Sequence, residues 1–148
     1  MKKLLLSVTA AIFSLAVFAA APTTVTEKVL KAFNASFKDA QQVVWEENTE
    51  SNVYEVKFMH NDIKSRITYD PDGNILKAIR YYKEEQLPIL IQGKLKQKYA
   101  SKKVFGVTEV ATPDNLEYHI VLEDAKTWTI VISDANGFMA VDKKYKKA

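Results

Sequence analysis

Two histidines, His60 and His119, are the only imidazoles in 148 residues. A metal site draws on several His, Cys, Asp or Glu side chains at helical or hairpin spacing. These two are isolated histidines far apart in the chain, so no metal is expected. Ser101 and Ser133 are available as nucleophiles, but neither lies in a Gly-x-Ser-x-Gly turn or beside a histidine held by an acid. Four glycines form no phosphate-cradling loop. Glu46-Glu47 and Glu84-Glu85 are adjacent pairs, and neighbours on a strand point to opposite faces, so they do not converge as an acid and base would. Asp70-Pro71-Asp72-Gly73-Asn74 is acidic enough to test for calcium. A helix-loop-helix site needs a glutamate at its twelfth position; counting from Asp70, that position is Tyr81. These residues predict no catalyst and no cofactor. What remains is contact chemistry from Trp45, Tyr81, Tyr82 and the row Trp128, Ile130, Ile132. Tyrosine and tryptophan dominate protein interfaces but also fill cores and sheets.

The elements that carry these residues recur. Asp70-Pro71-Asp72-Gly73-Asn74 returns as Asp134-Ala135-Asn136-Gly137-Phe138, an offset of 64 residues. At the same offset Tyr54-Glu55-Val56-Lys57-Phe58 matches Tyr118-His119-Ile120-Val121-Leu122, and Tyr81-Tyr82-Lys83 matches Tyr145-Lys146-Lys147. Self-similarity at one offset predicts a structural unit used twice, over about residues 24–83 and 84–148.

Thr24 and Glu27 have capping-box spacing, and Val29, Leu30, Phe33 and Phe37 make one stripe, predicting a helix over about 25–38. Val43–Glu46 and Val53–Phe58 follow as strands, the second alternating Tyr54, Val56, Phe58 with Glu55, Lys57. Asn61-Asp62 reads as a hairpin turn, Ser65–Tyr69 as a third strand, Asp-Pro-Asp-Gly as a wider turn and Ile75–Tyr82 as a fourth strand. Leu87-Pro88 opens a second helix with Leu87, Ile91, Leu95 and Tyr99 on one stripe. Gly93 inside it is expected to permit close approach to a sheet. Val104–Val110, Leu116–Leu122, Thr127–Ser133 and Met139–Tyr145 complete the strands. The predicted fold is α+β, a tandem repeat of one helix plus a four-stranded antiparallel sheet in two layers, the two sheets joined side by side or edge to edge.

The two units differ where it matters. Ile67 and Tyr69 align with Val131 and Ser133, yet the stronger apolar row of the second unit is Trp128, Ile130 and Ile132, on the opposite parity. Either that strand is shifted by one residue, or it carries apolar groups on both faces. In the latter case the row is an exposed contact patch or, as the plainer expectation has it, is covered by the rest of the fold. Tyr81 and Tyr82 are adjacent, so one of them must face away from the helices.

Met1-Lys2-Lys3, the apolar run Leu4–Phe18 and Ala19-Ala20-Ala21 have the layout of a secretory signal peptide. Residues 1–19 are the expected leader; cleavage after Ala21 also fits but leaves Pro22 first. The apolar run falls short of the ~20 residues of a spanning helix, and no membrane insertion is expected after cleavage. The absence of cysteine rules out a lipid-anchored lipoprotein and disulfide staples, so about 129 mature residues must hold together by their core. Loss of Lys2 and Lys3 lowers the formal net charge from +3 to +1, which gives no support for nucleic-acid binding. The tail Lys143-Lys144-Tyr145-Lys146-Lys147 reads as a solvated end.

Phe37-Lys38-Asp39-Ala40, Val44-Trp45-Glu46, Tyr54–Phe58, Tyr69–Ile75 and Leu87-Pro88 with Tyr99, in this order and spacing, resemble the PepSY-like family of exported bacterial proteins, whose fold is similar to that of beta-lactamase inhibitor protein. Tyr118 and Asp134–Gly137 repeat the pattern more loosely. The resemblance covers nearly all of the mature chain. It implies tandem helix-plus-sheet repeats, a periplasmic or secreted location and a non-enzymatic binding or inhibitory role, and it transfers no catalytic residue. The expected partner is an unidentified protein or peptide of the cell envelope, met on an open sheet face, with pairing along a sheet edge as the alternative. Shared fold is weak evidence for shared function.

Overall fold

The computed structural model describes residues 25–147, so the expected leader and its cleavage site lie outside the described residues. Helix α1 spans Glu27–Ser36. Its N-cap is Thr26, whose hydroxyl accepts the Val29 amide at 3.3 Å. The expected cap, Thr24, lies outside the described residues. Four strands follow, β1 (Gln41–Asn48), β2 (Val53–His60), β3 (Ile63–Tyr69) and β4 (Ile75–Tyr82). A 3-10 turn at Glu84–Gln86 leads into α2 (Ile89–Lys98), then β5 (Lys103–Ala111), β6 (Leu116–Glu123), β7 (Thr127–Asp134) and β8 (Met139–Lys146). The strands form one continuous antiparallel sheet in chain order, β1 to β8, with β4 paired to β5, which is the edge-to-edge case of the expected joining. Among the described residues, no helix is long and apolar enough to cross a membrane.

Local chemistry sets the hairpins. Asn61 and Asp62 both have positive φ (50° and 60°), the geometry of a two-residue turn whose twist matches its strands. The wider turns repeat one network. Asp70 Oδ1 accepts the amides of Asp72 and Asn74, each at 2.9 Å. Asp134 Oδ1 accepts those of Asn136 and Phe138 at 2.9 and 2.8 Å. Gly73 and Gly137 take the left-handed conformation (φ +88° and +77°) that each turn requires.

Both helices lie on the same face of the sheet. Beneath α1, Val29 and Phe33 pack with Trp45, Tyr54, Val56, Phe58, Ile67 and Tyr69. Beneath α2, Leu87, Ile91 and Leu95 pack with Tyr82, Val107, Tyr118, Ile120, Leu122, Val131 and Met139. These are two separate clusters. Gly93 does not serve close approach: it points outward, and a Cβ there would meet nothing within 4 Å. The close approach is at Gly73, where a Cβ would lie 2.9 Å from the Lys28 carbonyl oxygen, so this turn buttresses α1. Thr26 reinforces the contact by donating to the Pro71 carbonyl at 3.1 Å.

The two clusters meet where β4 pairs with β5. Arg80 stands directly opposite Glu109. Its guanidinium donates two parallel bonds to that carboxylate, both 2.9 Å, and the Tyr82 hydroxyl donates a third at 2.6 Å. Burial, and then the bond to Glu109, raise the Tyr82 phenol well above its ordinary pKa.

Candidate functional site: the open face of the sheet

A side-chain period of two leaves a second face that no helix covers among the described residues. Successive register partners build it. One row crosses six strands as Lys64, Tyr81, Thr108, His119, Ile132 and Ala140. Beside it run Val121, Ile130 and Lys143, then Glu123, Trp128 and Tyr145. On the other side run Lys57, Arg66, Ile79, Val110 and Glu117. The face is therefore apolar and aromatic toward β7–β8 and cationic toward β2–β3.

Trp128 anchors the apolar end. Phe105 meets it edge-on with ring centroids 4.9 Å apart. Lys147 Nζ sits 4.3 Å from the Trp128 ring centroid and pairs with Glu123 at 2.9 Å, a cation–π geometry. Phe105 and Tyr145 are 65% and 51% exposed, a large apolar area for rings on one face. Strand β7 is not shifted: Thr129, Val131 and Ser133 point to the helices, so Trp128, Ile130 and Ile132 lie on the open face. They are half-buried by their neighbours in the sheet, and no layer of the described residues covers them, contrary to the plainer expectation.

Tyr81 shares this face and is 39% exposed. Two candidates do not belong to it. Trp45 is 9% exposed and packs in the first cluster against Phe33 at 5.3 Å, because its register partner Val56 faces α1. Tyr82 is 7% exposed, beneath α2, with its hydroxyl held by Glu109. Both are core residues, which corrects their assignment to a contact surface. Phe105 was the missed residue. It occupies an irregularity between Val104 and Gly106 that breaks the alternation of β5, and the glycine within the strand was the available signal.

Ser133 is fully buried and its hydroxyl donates to the Asp134 carbonyl at 3.0 Å. His119 lies on the open face with Nε2 3.4 Å from Glu117. His60 ends β2, edge-on to Phe37 at 5.6 Å. Among the described residues, no three His, Asp or Glu side chains form a metal-holding group. Other exposed apolar residues, Ile89 and Leu90 at the start of α2 and Phe138 at a turn, stand off this face.

Both edges of the sheet are interrupted. In β1 the register shifts between Gln41 and Val44, with Gln42 at φ 53°. In β8 it shifts opposite Ile130 and Val131, and Lys143, Lys144 and Lys146 line the strand. Bulges and lysines are the devices that keep an edge from recruiting another strand.

No protein-family model matches the chain, and no curated protein matches it. Solved structures do. A BLIP-like protein from Bacteroides fragilis aligns over 82% of this chain and 85% of its own, at 14% identity and TM-score 0.60. The fold is BLIP-like. A DUF2874 family protein from Bacteroides ovatus aligns over 84% of this chain and 89% of its own, at 16% identity and TM-score 0.61. A candidate periplasmic protein from Bacteroides eggerthii aligns over 82% and 88%, at 15% identity and TM-score 0.59. At such identities the likeness concerns the fold alone.

Proposed function

We propose that this protein is an exported, non-catalytic binding module of the PepSY-like type that holds a protein or peptide of the cell envelope on the open face of its sheet. One observation carries the reading. Tyr81 and Trp128 lie on the same uncovered face two rows apart, with Ile132 in the row of Tyr81, Ile130 in the row between, and Phe105 against the tryptophan. An aromatic and aliphatic face rimmed by charged side chains has the composition of a docking surface. Inhibition of an envelope hydrolase is one form of this function. The leader-like N-terminus and the BLIP-like fold support a periplasmic or secreted location, and the repeated turns support an origin by duplication of residues 24–83 and 84–148. The alternative, an accessory protein that adds a strand at a sheet edge, is disfavoured by the bulges in β1 and β8 and by the lysines of β8.

The test is recovery of partners from a periplasmic extract. A Trp128→Ala/Tyr81→Ala double variant is expected to lose the proteins that wild type retains, while keeping its circular dichroism spectrum. Equal recovery by the two proteins sinks the open-face reading. Loss on disrupting the β1 or β8 edge instead transfers the site there.

A further inference from the structure

We infer that the partner segment is acidic: it seats a carboxylate among Lys57, Lys64, Arg66 and Tyr81 while its apolar residues lie along the Ile132–Trp128 side of the face. This rests on the open-face reading and adds the chemistry of the occupant. The four side chains, together with Ser65, line a depression of about 400 Å³. Lys57 and Arg66 already share two carboxylates. Lys57 bonds Glu46 at 2.7 Å and lies 3.6 Å from Glu55, and Arg66 is 3.4 Å from Glu55. Lys64 has no ion-pair partner among the described residues, so three cations face two anions and one positive charge stays uncompensated. Tyr81 lines the depression on the side nearer β5. Its register partners run Lys64 on one side and Thr108 on the other, toward His119 and Ile132. An acid a few residues from an aromatic or aliphatic anchor fits that order, because opposite charge steers the approach and fixes register while the apolar contact supplies affinity. An anionic lipid surface fits less well. A continuous plane of negative charge would also meet Glu117 and Glu123 elsewhere on the same face, whereas a single carboxylate beside Lys64 meets only Glu46 and Glu55, whose charges Lys57 and Arg66 already offset.

The test is selection from a displayed library of random 12-residue peptides on the immobilised full chain. The expected result is enrichment of Asp or Glu near Phe, Leu or Ile. Selected peptides should lose at least tenfold in affinity to a Lys64→Glu/Arg66→Glu variant and weaken as salt rises from 50 to 300 mM. Peptides that respond to Trp128→Ala but carry no acidic enrichment overturn this inference and leave the open-face reading standing. Peptides indifferent to both variants, or no selected peptides at all, overturn both. Anionic phosphatidylglycerol vesicles that float the protein and release it in Lys64→Glu/Arg66→Glu overturn the peptide assignment in favour of a membrane. A Lys64→Gln/Arg66→Gln variant, tested beside the charge reversal, separates loss of attraction from a disturbed strand; retained binding with both variants folded also overturns the inference.

Discussion

Tyr69 is 1% exposed, and its hydroxyl finds no hydrogen-bond partner among the described residues. Burial alone pushes its phenol up to about 12. A buried hydroxyl without a partner carries a desolvation cost of about 1–3 kcal/mol. Tyr69→Phe removes that cost with the ring in place and is expected to raise unfolding stability by about 1 kcal/mol in urea denaturation. The pH dependence follows from the same shift. In the unfolded chain the phenol titrates near 10, so between pH 10 and about 12 the folded state holds a proton the unfolded state has released. Stability is complete below pH 10 and falls as pH rises through that window, and the fall should be shallower in Tyr69→Phe. Asp124 works in the opposite sense. Lys102, then the Lys126 amide and the Thr127 hydroxyl, hold its carboxyl below the usual range. Its contribution is complete above about pH 4 and is lost as pH falls through the depressed value. Asp124→Asn should therefore lose part of the acid-induced drop in melting temperature.

At the scale of elements, the turns and α2 give opposite predictions for one substitution. Gly73→Ala must place a Cβ 2.9 Å from the Lys28 carbonyl at φ +88°, and a strained residue of this kind costs on the order of 1–3 kcal/mol. Gly93→Ala meets open space on an exposed helix face and should gain about 1 kcal/mol. Melting temperatures of the two variants, moving in opposite directions, check both. The strands and turns were legible in the sequence because their signals are local: alternation in Tyr54–Phe58, two residues at Asn61-Asp62, and an Asp-to-Gly spacing used twice. The facing of single aromatics was not. Val43-Val44-Trp45 does not alternate, so the direction of Trp45 depends on its pairing with Val56 in another strand. Tyr81 and Tyr82 alternate by necessity, but which of them meets the core is decided by where α2 and Leu87 pack. Phe105 reaches the open face through an irregularity that period-two reading passes over.

At the scale of the molecule, the sheet is continuous while the hydrophobic interior is not. Two clusters, one under each helix, are bridged by β4–β5 pairing and by the Arg80, Tyr82 and Glu109 side chains. Glu109→Ala leaves a guanidinium and a phenol without their acceptor. With Arg80 partly solvated, the expected cost is about 2 kcal/mol, measured by chemical denaturation. The same variant should speed amide exchange in β4 and β5 more than in β2 or β7.

The bridge also bears on how long the protein lasts. Severed there, each lobe would have about 60 residues, a size that buries only a modest fraction of its surface and is marginal alone. A protease that cannot cleave the intact sheet would find two fraying fragments instead. Occupancy of Tyr81 and Trp128 by one ligand would splint β4 through β7 across that line of weakness, so a filled face should also mean a longer-lived molecule.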